Sequence, residues 1–243
     1  MLQVPVAVIL GLCIMLSGCA AMKAGPSKGA GFVPMEQLAK REDLPFQKVW
    51  VKDDVDLKRY KSICITPVNT AHLLKSDWWQ QNFRRGQMQE DVATMAQYMQ
   101  QEFQTAFRND PYSHFQVVDA PQKGCLVLDL ALTELVPSNV ALTALEYAPY
   151  GGGTAVRLLE RATGAESTVA FEARMKDGDT GATMAMFADR QAKKIRIIDI
   201  KGFTWYGHGK DIIKEWADQF VKLSNKRPGE VIEGSAAFTL SPW

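Results

Sequence analysis

The sequence lacks an excess of charge, a long apolar run and a dense set of cysteines. Its 243 residues carry 28 Lys and Arg against 27 Asp and Glu, so the positive field typical of a nucleic-acid-binding protein is missing. No apolar run reaches the ~20 residues of a membrane-spanning helix, and four cysteines are too few for a disulfide scaffold. The 47% hydrophobic content is typical of a globular domain. We expect no nucleic-acid partner.

The first residues have the pattern of a secretion signal. Residues 4–16 are all apolar or small, and 13 such residues (16 − 4 + 1) suit the hydrophobic segment of a signal peptide. The run ends in Leu16, Ser17, Gly18 and Cys19, which resembles the tetrapeptide recognised by bacterial lipoprotein signal peptidase. The resemblance implies that Ser17 and Gly18 suit the cleavage site and that the Cys19 thiol accepts a diacylglyceryl group. The alternatives are an ordinary secretory signal with an incidental cysteine, or a buried core strand. The segment departs from a typical signal in one respect, because no Lys or Arg lies within residues 1–18, where a positive n-region is usual.

The residues after Cys19 predict the location and the layout of the mature chain. Ala20 follows Cys19, which resembles the signal for transfer to the outer membrane in Gram-negative bacteria. Two or three acyl chains would anchor the protein permanently on the periplasmic face. Residues 19–31 are Gly-, Ala- and Lys-rich and predict a flexible tether. We expect one domain over residues 32–228 and a tail over 229–243.

Periodicity predicts an α+β domain. Residues 125–136 alternate between two faces, as in a half-buried strand, and residues 167–189 suggest a hairpin around a glycine-rich turn. Residues 89–108 and 209–224 have apolar side chains at helical spacing. Shorter strand patterns lie within 57–68 and 115–119, whereas residues 32–56 suggest an irregular arm. The expected fold is therefore a small, mostly antiparallel sheet with two amphipathic helices packed on one face.

The hairpin also carries a resemblance. The stretch from Ala170 to Gly181, which contains Asp177, Thr180 and Gly181, followed by Asp189-Arg190, is similar to a signature of an uncharacterised family of Gram-negative lipoproteins. Gly31-Phe32-Val33-Pro34, Tyr60-Lys61-Ser62-Ile63 and Ala131-Leu132-Thr133 look like that family too. The layout of elements also resembles the amino-terminal domain of TolB. The resemblance implies an envelope location and this fold, and it implies no activity.

Candidate chemistry is sparse. Asp177–Gly181 resembles the start of a calcium loop, but the position that needs a bidentate Glu is Ala188, so a hairpin turn is the simpler interpretation. The three histidines are His72, His114 and His208, and their spacing does not indicate a metal site. We expect no metal, no cofactor and no catalytic residue.

Two further features of the sequence each allow two interpretations. Cys64 and Cys125 lie in predicted strands, where they could form a disulfide in the periplasm or remain buried thiols. An aromatic–basic cluster is a candidate partner surface, since Trp and Arg concentrate at interfaces; it could equally cover the core. Its members are Trp78, Trp79, Phe83, Arg84 and Arg85.

The sequence therefore favours a lipid-anchored, non-catalytic binding or assembly module with a protein or cell-wall partner in the envelope. Lipid attachment would raise the effective concentration of the module near such a partner, so that a modest affinity suffices. The alternative is an envelope hydrolase whose site is assembled from distant residues such as Glu172, Asp189 and His208. A pocket that gathers a histidine and a carboxylate would favour the hydrolase.

Overall fold

The computed structural model describes residues 26–75, 85–112, 114–136, 166–194 and 207–234. The strands are β1 (Lys48–Val51), β2 (Ser62–Ile65), β3 (Gln116–Val118), β4 (Cys125–Val136), β5 (Glu166–Asp177) and β6 (Thr183–Lys194). The helices are α1 (Ala71–Leu74), α2 (Arg85–Asn109) and α3 (Gly207–Ser224). The predicted signal peptide and Cys19 lie outside the described residues, as do Trp78, Trp79, Phe83 and Arg84.

The prediction of a small, mostly antiparallel sheet is wrong, because the sheet has six strands and is mixed. Its order is β1-β6-β5-β4-β2-β3. The pairs β1/β6, β5/β6 and β4/β5 are antiparallel, whereas β2 is parallel to both β3 and β4. The content of helices and strands agrees with the α+β prediction, but the arrangement of the strands does not.

Two features of the chain explain the difference. Helix α2 lies between β2 and β3 in the sequence, and a strand–helix–strand connection carries the chain back to the starting edge, so the two strands run parallel. In addition, the arm predicted as irregular contains β1, whose residues 48–51 pair with residues 185–188 of β6. A strand of four residues is too short for alternation to reveal it.

The hairpin prediction is confirmed. Strands β5 and β6 pair in register over most of their length, with Phe171 opposite Asp189 and Glu172 opposite Ala188. Side chains of successive residues in a strand point to opposite faces of the sheet. The register therefore assigns Phe171 and Asp189 to one face and Glu172 and Ala188 to the other.

The first face is the main core, where α2 and α3 pack on the sheet. Trp216 of α3 contacts Phe171 with a centroid separation of 4.6 Å, and Phe220 contacts Phe46 at 4.8 Å. All four side chains are fully buried. Burial of each large aromatic side chain stabilises the fold by roughly 2–3 kcal/mol, so this face holds the helices on the sheet.

The second face carries a smaller apolar cluster that includes residues before β1. Val33 and Leu38 are buried there with Met186 and Ala188 of β6. The predicted tether, residues 19–31, extends into this region, because the backbone N–H of Ala30 donates a hydrogen bond to the sheet. At the other end of the chain, Ile232 of the predicted tail is buried, and its N–H donates to Asp43 O at 3.1 Å.

Candidate functional site

The centre of the second face is a buried carboxylate, Glu172. Its side chain has no solvent exposure and accepts hydrogen bonds from the backbone N–H groups of Ala30 and Val33, the latter at 2.8 Å. A buried charge is costly unless hydrogen bonds compensate it, and here two backbone donors do so. Glu172 therefore fastens the segment Gly29–Leu38, which we call the strap, to β5.

Two glycines give the strap its shape. Gly29 and Gly31 have φ angles of 93° and 91°, a left-handed conformation that glycine adopts at little cost. A Cβ atom at Gly29 would also lie 2.3 Å from Cγ of Met35. The positions on either side of Ala30 therefore require glycine, and this conformation directs the Ala30 N–H toward Glu172.

Side chains from two other elements hold the strap from its sides. The Arg174 guanidinium lies 4.1 Å from the centroid of the Phe32 ring, a cation–π contact. His72 of α1 lies edge-on to the same ring, and its Nδ1 atom is 2.7 Å from Ala30 O. These contacts connect α1, β5 and the strap at one point.

The neighbouring charges on this face are paired. Arg190 donates two hydrogen bonds of 2.8 Å to the two carboxylate oxygens of Glu134, and Thr168 donates a third. Burial raises the pKa of Glu134, but the hydrogen bonds from Arg190 and Thr168 outweigh it and leave the pKa below its usual value. Glu134 is therefore ionised at neutral pH and serves to join β4 to β6.

Asp129 performs the same role near the middle of β4. Lys176 of β5 lies 2.6 Å from Asp129 Oδ2, and Arg174 lies 3.7 Å from it. The Thr66 hydroxyl donates to the other oxygen at 3.0 Å. This carboxylate thus connects β4 to β5 and to the residue after β2.

Asp189 lies on the opposite face of the sheet from Glu172. Trp216 Nε1 donates to its Oδ2 atom at 2.8 Å, and the backbone N–H of Gln47 donates to Oδ1 at 3.1 Å. The hydrolase alternative needs Glu172 and Asp189 in one site, but the one-residue offset in the register places them on different faces of the sheet. Each carboxylate already accepts structural hydrogen bonds.

The hairpin turn is organised by Asp177. Its Oδ1 atom accepts hydrogen bonds from the backbone N–H groups of Asp179 and Thr180 and from the Thr180 hydroxyl. Its Oδ2 atom accepts one from the Tyr60 hydroxyl at 2.7 Å and another from Arg59. The Tyr60 and Thr180 donors hold the pKa of Asp177 well below its usual value. Both oxygens of the first carboxylate in the candidate calcium loop are thus engaged within the protein.

In the structure, Cys64 and Cys125 are buried and are not bonded to each other. They lie on neighbouring strands, since Ser62 is the register partner of Cys125. Burial raises the pKa of the Cys64 thiol, which disfavours the reactive thiolate.

The remaining predicted residues are dispersed. The His114 ring is tilted against the Phe115 ring, with a centroid separation of 4.0 Å, and it lies far along the chain from His72 at the strap. Arg85 begins α2, whereas the rest of the aromatic–basic cluster lies outside the described residues. Within the part of the chain that the structure describes, no three His, Cys, Asp or Glu side chains are arranged to hold a metal ion.

Sequence reasoning missed the strap and its link to Glu172. Ala30 and Glu172 are separated by 142 residues, and periodicity does not report contacts over such a distance. The pattern Gly29-Ala30-Gly31 was available as a signal, because paired glycines often mark left-handed backbone. Its composition instead suggested a flexible linker.

The described residues define an α+β domain whose mixed sheet carries helices on one face and a fastened strap on the other. The chain belongs to the family described as protein of unknown function DUF3313, whose model matches residues 29–220. The match begins at the first residue of the strap.

The chain resembles solved structures of PelC at low sequence identity. The PelC dodecamer from Paraburkholderia phytofirmans is 12% identical, with a TM-score of 0.39, and the match covers 70% of this chain and 95% of that one. A variant of the same protein gives 12% identity and a TM-score of 0.37, with coverage of 70% and 94%. The sequence has no significant match among curated proteins. No helix in the described ranges is long and apolar enough to cross a membrane.

Proposed function

We propose that this protein is a lipoprotein of the outer membrane, anchored on the periplasmic face, that acts as a non-catalytic binding module of the cell envelope. The observation that carries the proposal is the tetrapeptide Leu16–Cys19, which stands at the end of the run of thirteen apolar or small residues over 4–16. The Cys19 thiol would take the diacylglyceryl group from a membrane phospholipid, which forms the C–S thioether bond, breaks the C–O bond to the phosphate and releases the phosphate headgroup with the thiol proton. Hydrolysis of the peptide bond before Cys19 would then free its amine for a further acyl chain. The anchored domain would then search for partners along a surface.

The charged groups of the domain support a binding role over the hydrolase alternative. Glu172 fastens the strap, Asp189 joins α3 to β6, and Glu134 joins β4 to β6. A general acid or base needs a carboxylate that can exchange a proton with a substrate. These three carboxylates are instead occupied by hydrogen bonds that maintain the fold.

We infer that the edge of β3 contributes to the partner surface. β3 is the last strand of the sheet, and Tyr112, just before it in the chain, is 82% exposed. Tyrosine is enriched at protein interfaces, and a sheet edge offers backbone groups to an extended partner segment. The edge at β1 is less available, because Ala39 pairs with Val49 there.

The first experiment tests the anchor. Wild type, Cys19→Ala and the control Cys13→Ala are expressed in a Gram-negative host, and their intact masses and membrane fractions are measured. We expect lipid mass and outer-membrane partition in wild type and Cys13→Ala, and the loss of both in Cys19→Ala. A wild-type protein that carries no lipid would contradict the proposal.

The second experiment tests recognition. A photo-crosslinking residue replaces Tyr112 in one variant and the exposed Val231 (59%) in a control. We expect a discrete crosslinked species from position 112 that weakens when Cys19→Ala is added, because release from the membrane lowers the effective concentration. Equal crosslinking at both positions would argue against a partner surface at β3.

A further inference from the structure

The strap begins close to the proposed lipidation site in the sequence. Gly29 follows Cys19 by ten residues (29 − 19), and Ala39, the first residue after the strap, follows it by twenty (39 − 19). Ala39 is held to β1 by two backbone hydrogen bonds with Val49, of 2.8 and 3.0 Å. The strap is therefore the last part of the chain between the proposed anchor and the backbone pairing of Ala39 with β1.

The strap is held by a small set of contacts that are separate from the main core. Its apolar residues belong to the cluster with Met186 and Ala188, whereas the large aromatic cluster lies on the other face of the sheet. Its polar attachment consists of the two hydrogen bonds to the Glu172 carboxylate and the contact of His72 Nδ1 with Ala30 O. Detachment of the strap would therefore leave the packing of α2 and α3 on the sheet intact.

Chain entropy and hydration both favour detachment. The strap contains Gly29 and Gly31, and glycine loses more conformational freedom on ordering than any other residue. Detachment would also return the Glu172 carboxylate to water, and its hydration would offset part of the free energy of the two hydrogen bonds that are lost. Segments with few buried apolar contacts open locally at a lower free energy than the whole domain.

We propose that the strap Gly29–Leu38 detaches from the sheet as a unit, with Glu172 as its latch, and that detachment doubles the reach of the domain from the membrane. With the strap docked, the ten residues after Cys19 span at most ~35 Å, and with the strap released twenty residues span at most ~70 Å. The longer reach rests on the proposed lipid anchor, whereas detachment of the strap does not depend on it.

Hydrogen exchange of the full chain tests detachment. Exchange is followed by mass spectrometry in wild type, in Glu172→Gln and in the control Glu134→Gln, which alters a carboxylate that bonds Arg190 and Thr168 instead of the strap. We expect strap amides to exchange at least tenfold faster in Glu172→Gln than in wild type, with α3 amides unchanged. In Glu134→Gln, we expect the exchange of the strap amides to stay as in wild type.

Two outcomes would overturn the inference. The first is strap exchange that is the same in Glu172→Gln as in wild type. The second is equal protection of strap and α3 amides in wild type, which would mean that the strap opens only when the domain unfolds. If Glu172→Gln does not fold, His72→Ala serves in its place, since His72 contacts the strap from α1, and a strap-specific acceleration is again required.

A second set of measurements distinguishes detachment of the strap from lipid attachment at Cys19. The exchange experiment is repeated in a Cys19→Ala background, to which no lipid is attached. There too, the strap amides should exchange faster when Glu172→Gln is added. Lipidated protein is placed in vesicles that contain a dye-labelled lipid, and a second dye is attached at Val231→Cys. Energy transfer between the two dyes is then compared in Glu172→Gln and Glu134→Gln. Lower transfer in Glu172→Gln supports the longer reach, and equal transfer in the two variants overturns that part of the inference.

Discussion

The indole Nε1 of Trp216 donates a hydrogen bond of 2.8 Å to the Oδ2 atom of Asp189 and joins helix α3 to strand β6. Trp216 has no exposed surface, and Asp189 is 4% exposed. The pair therefore places a carboxylate acceptor inside the main core, next to Phe171, which is the register partner of Asp189 and contacts the Trp216 ring. A core position of this kind is sensitive to the loss of either partner.

Substitution of Trp216 tests this relationship. Trp216→Phe removes the N–H donor and part of the buried ring, so one carboxylate oxygen loses a partner and a small cavity forms. We expect the free energy of unfolding to fall by about 3 kcal/mol, measured by urea denaturation. Tyr112→Phe, at an exposed position, is the control and should change the value by less than ~0.5 kcal/mol. A loss in Trp216→Phe as small as in the control would contradict the role of this hydrogen bond.

Asp177 predicts a pH dependence of stability. Its pKa lies below the ordinary value of 3.8 because Tyr60 and Thr180 donate to the carboxylate. The ionised form therefore stabilises the fold above the unfolded pKa, and this contribution is lost as the pH falls through the folded pKa. We expect the urea midpoint of Asp177→Asn to be lower than that of wild type at pH 7. The difference between the two midpoints should narrow as the pH falls below ~4.

The control for this measurement is Tyr60→Phe, which removes the largest contribution to the low pKa. The difference between its urea midpoint and that of wild type should be smaller at pH 7 than for Asp177→Asn, and it should narrow over the same pH range. Asp43, whose pKa is lowered to about 2 by Arg41, is present in all three proteins, so its titration cancels. A gap between wild type and Asp177→Asn that is constant from pH 7 to the acid limit would contradict the prediction.

Gly178 should tolerate no side chain. A Cβ atom there would lie 2.6 Å from both the carbonyl oxygen and the Sγ atom of Cys125, and that oxygen also accepts the Gly178 N–H. We expect Gly178→Ala to destabilise the domain by about 2–3 kcal/mol. Gly181→Ala meets no atom within 4 Å but has a φ of 71°, so a smaller loss of about 1–2 kcal/mol is expected. Thermal unfolding of both variants measures the two losses of stability. A larger loss in Gly181→Ala than in Gly178→Ala would contradict the prediction.

The two strand thiols should resist modification. Cys64 and Cys125 are almost fully buried, and burial raises the pKa of Cys64. In a Cys13→Ala, Cys19→Ala background, we expect little alkylation by iodoacetamide in the native state and two alkylated thiols in denaturant. A native mass lower by two hydrogens, with no alkylation in denaturant until a reductant is added, would instead indicate a disulfide.

Local pattern was sufficient for several elements. The alternation of residues 125–136 predicted β4 with its observed bounds, and the glycine-rich turn predicted the β5–β6 hairpin. The helix predicted over residues 209–224 is α3, with two further residues at its start. These elements follow from side-chain period and turn chemistry, which act over a few residues.

The order and direction of the strands could not be predicted in the same way. The parallel pairing of β2 with β3 follows from the path of the chain through α2, and β1 joins the sheet because β6 presents an edge to it. A strand of four residues carries little information by itself. Its pairing partner lies more than 130 residues away in the sequence.

The sequence by itself determined the period of each long element and the turn at Asp177, because neighbouring residues decide both. It also contains the Leu16–Cys19 motif, which a processing enzyme would read as a linear peptide. Only the tertiary structure decided that Glu172 and Asp189 face opposite sides of the sheet and that Gly29–Leu38 is a strap. Both results depend on register and on contacts across the chain, where a shift of one residue moves a side chain to the other face.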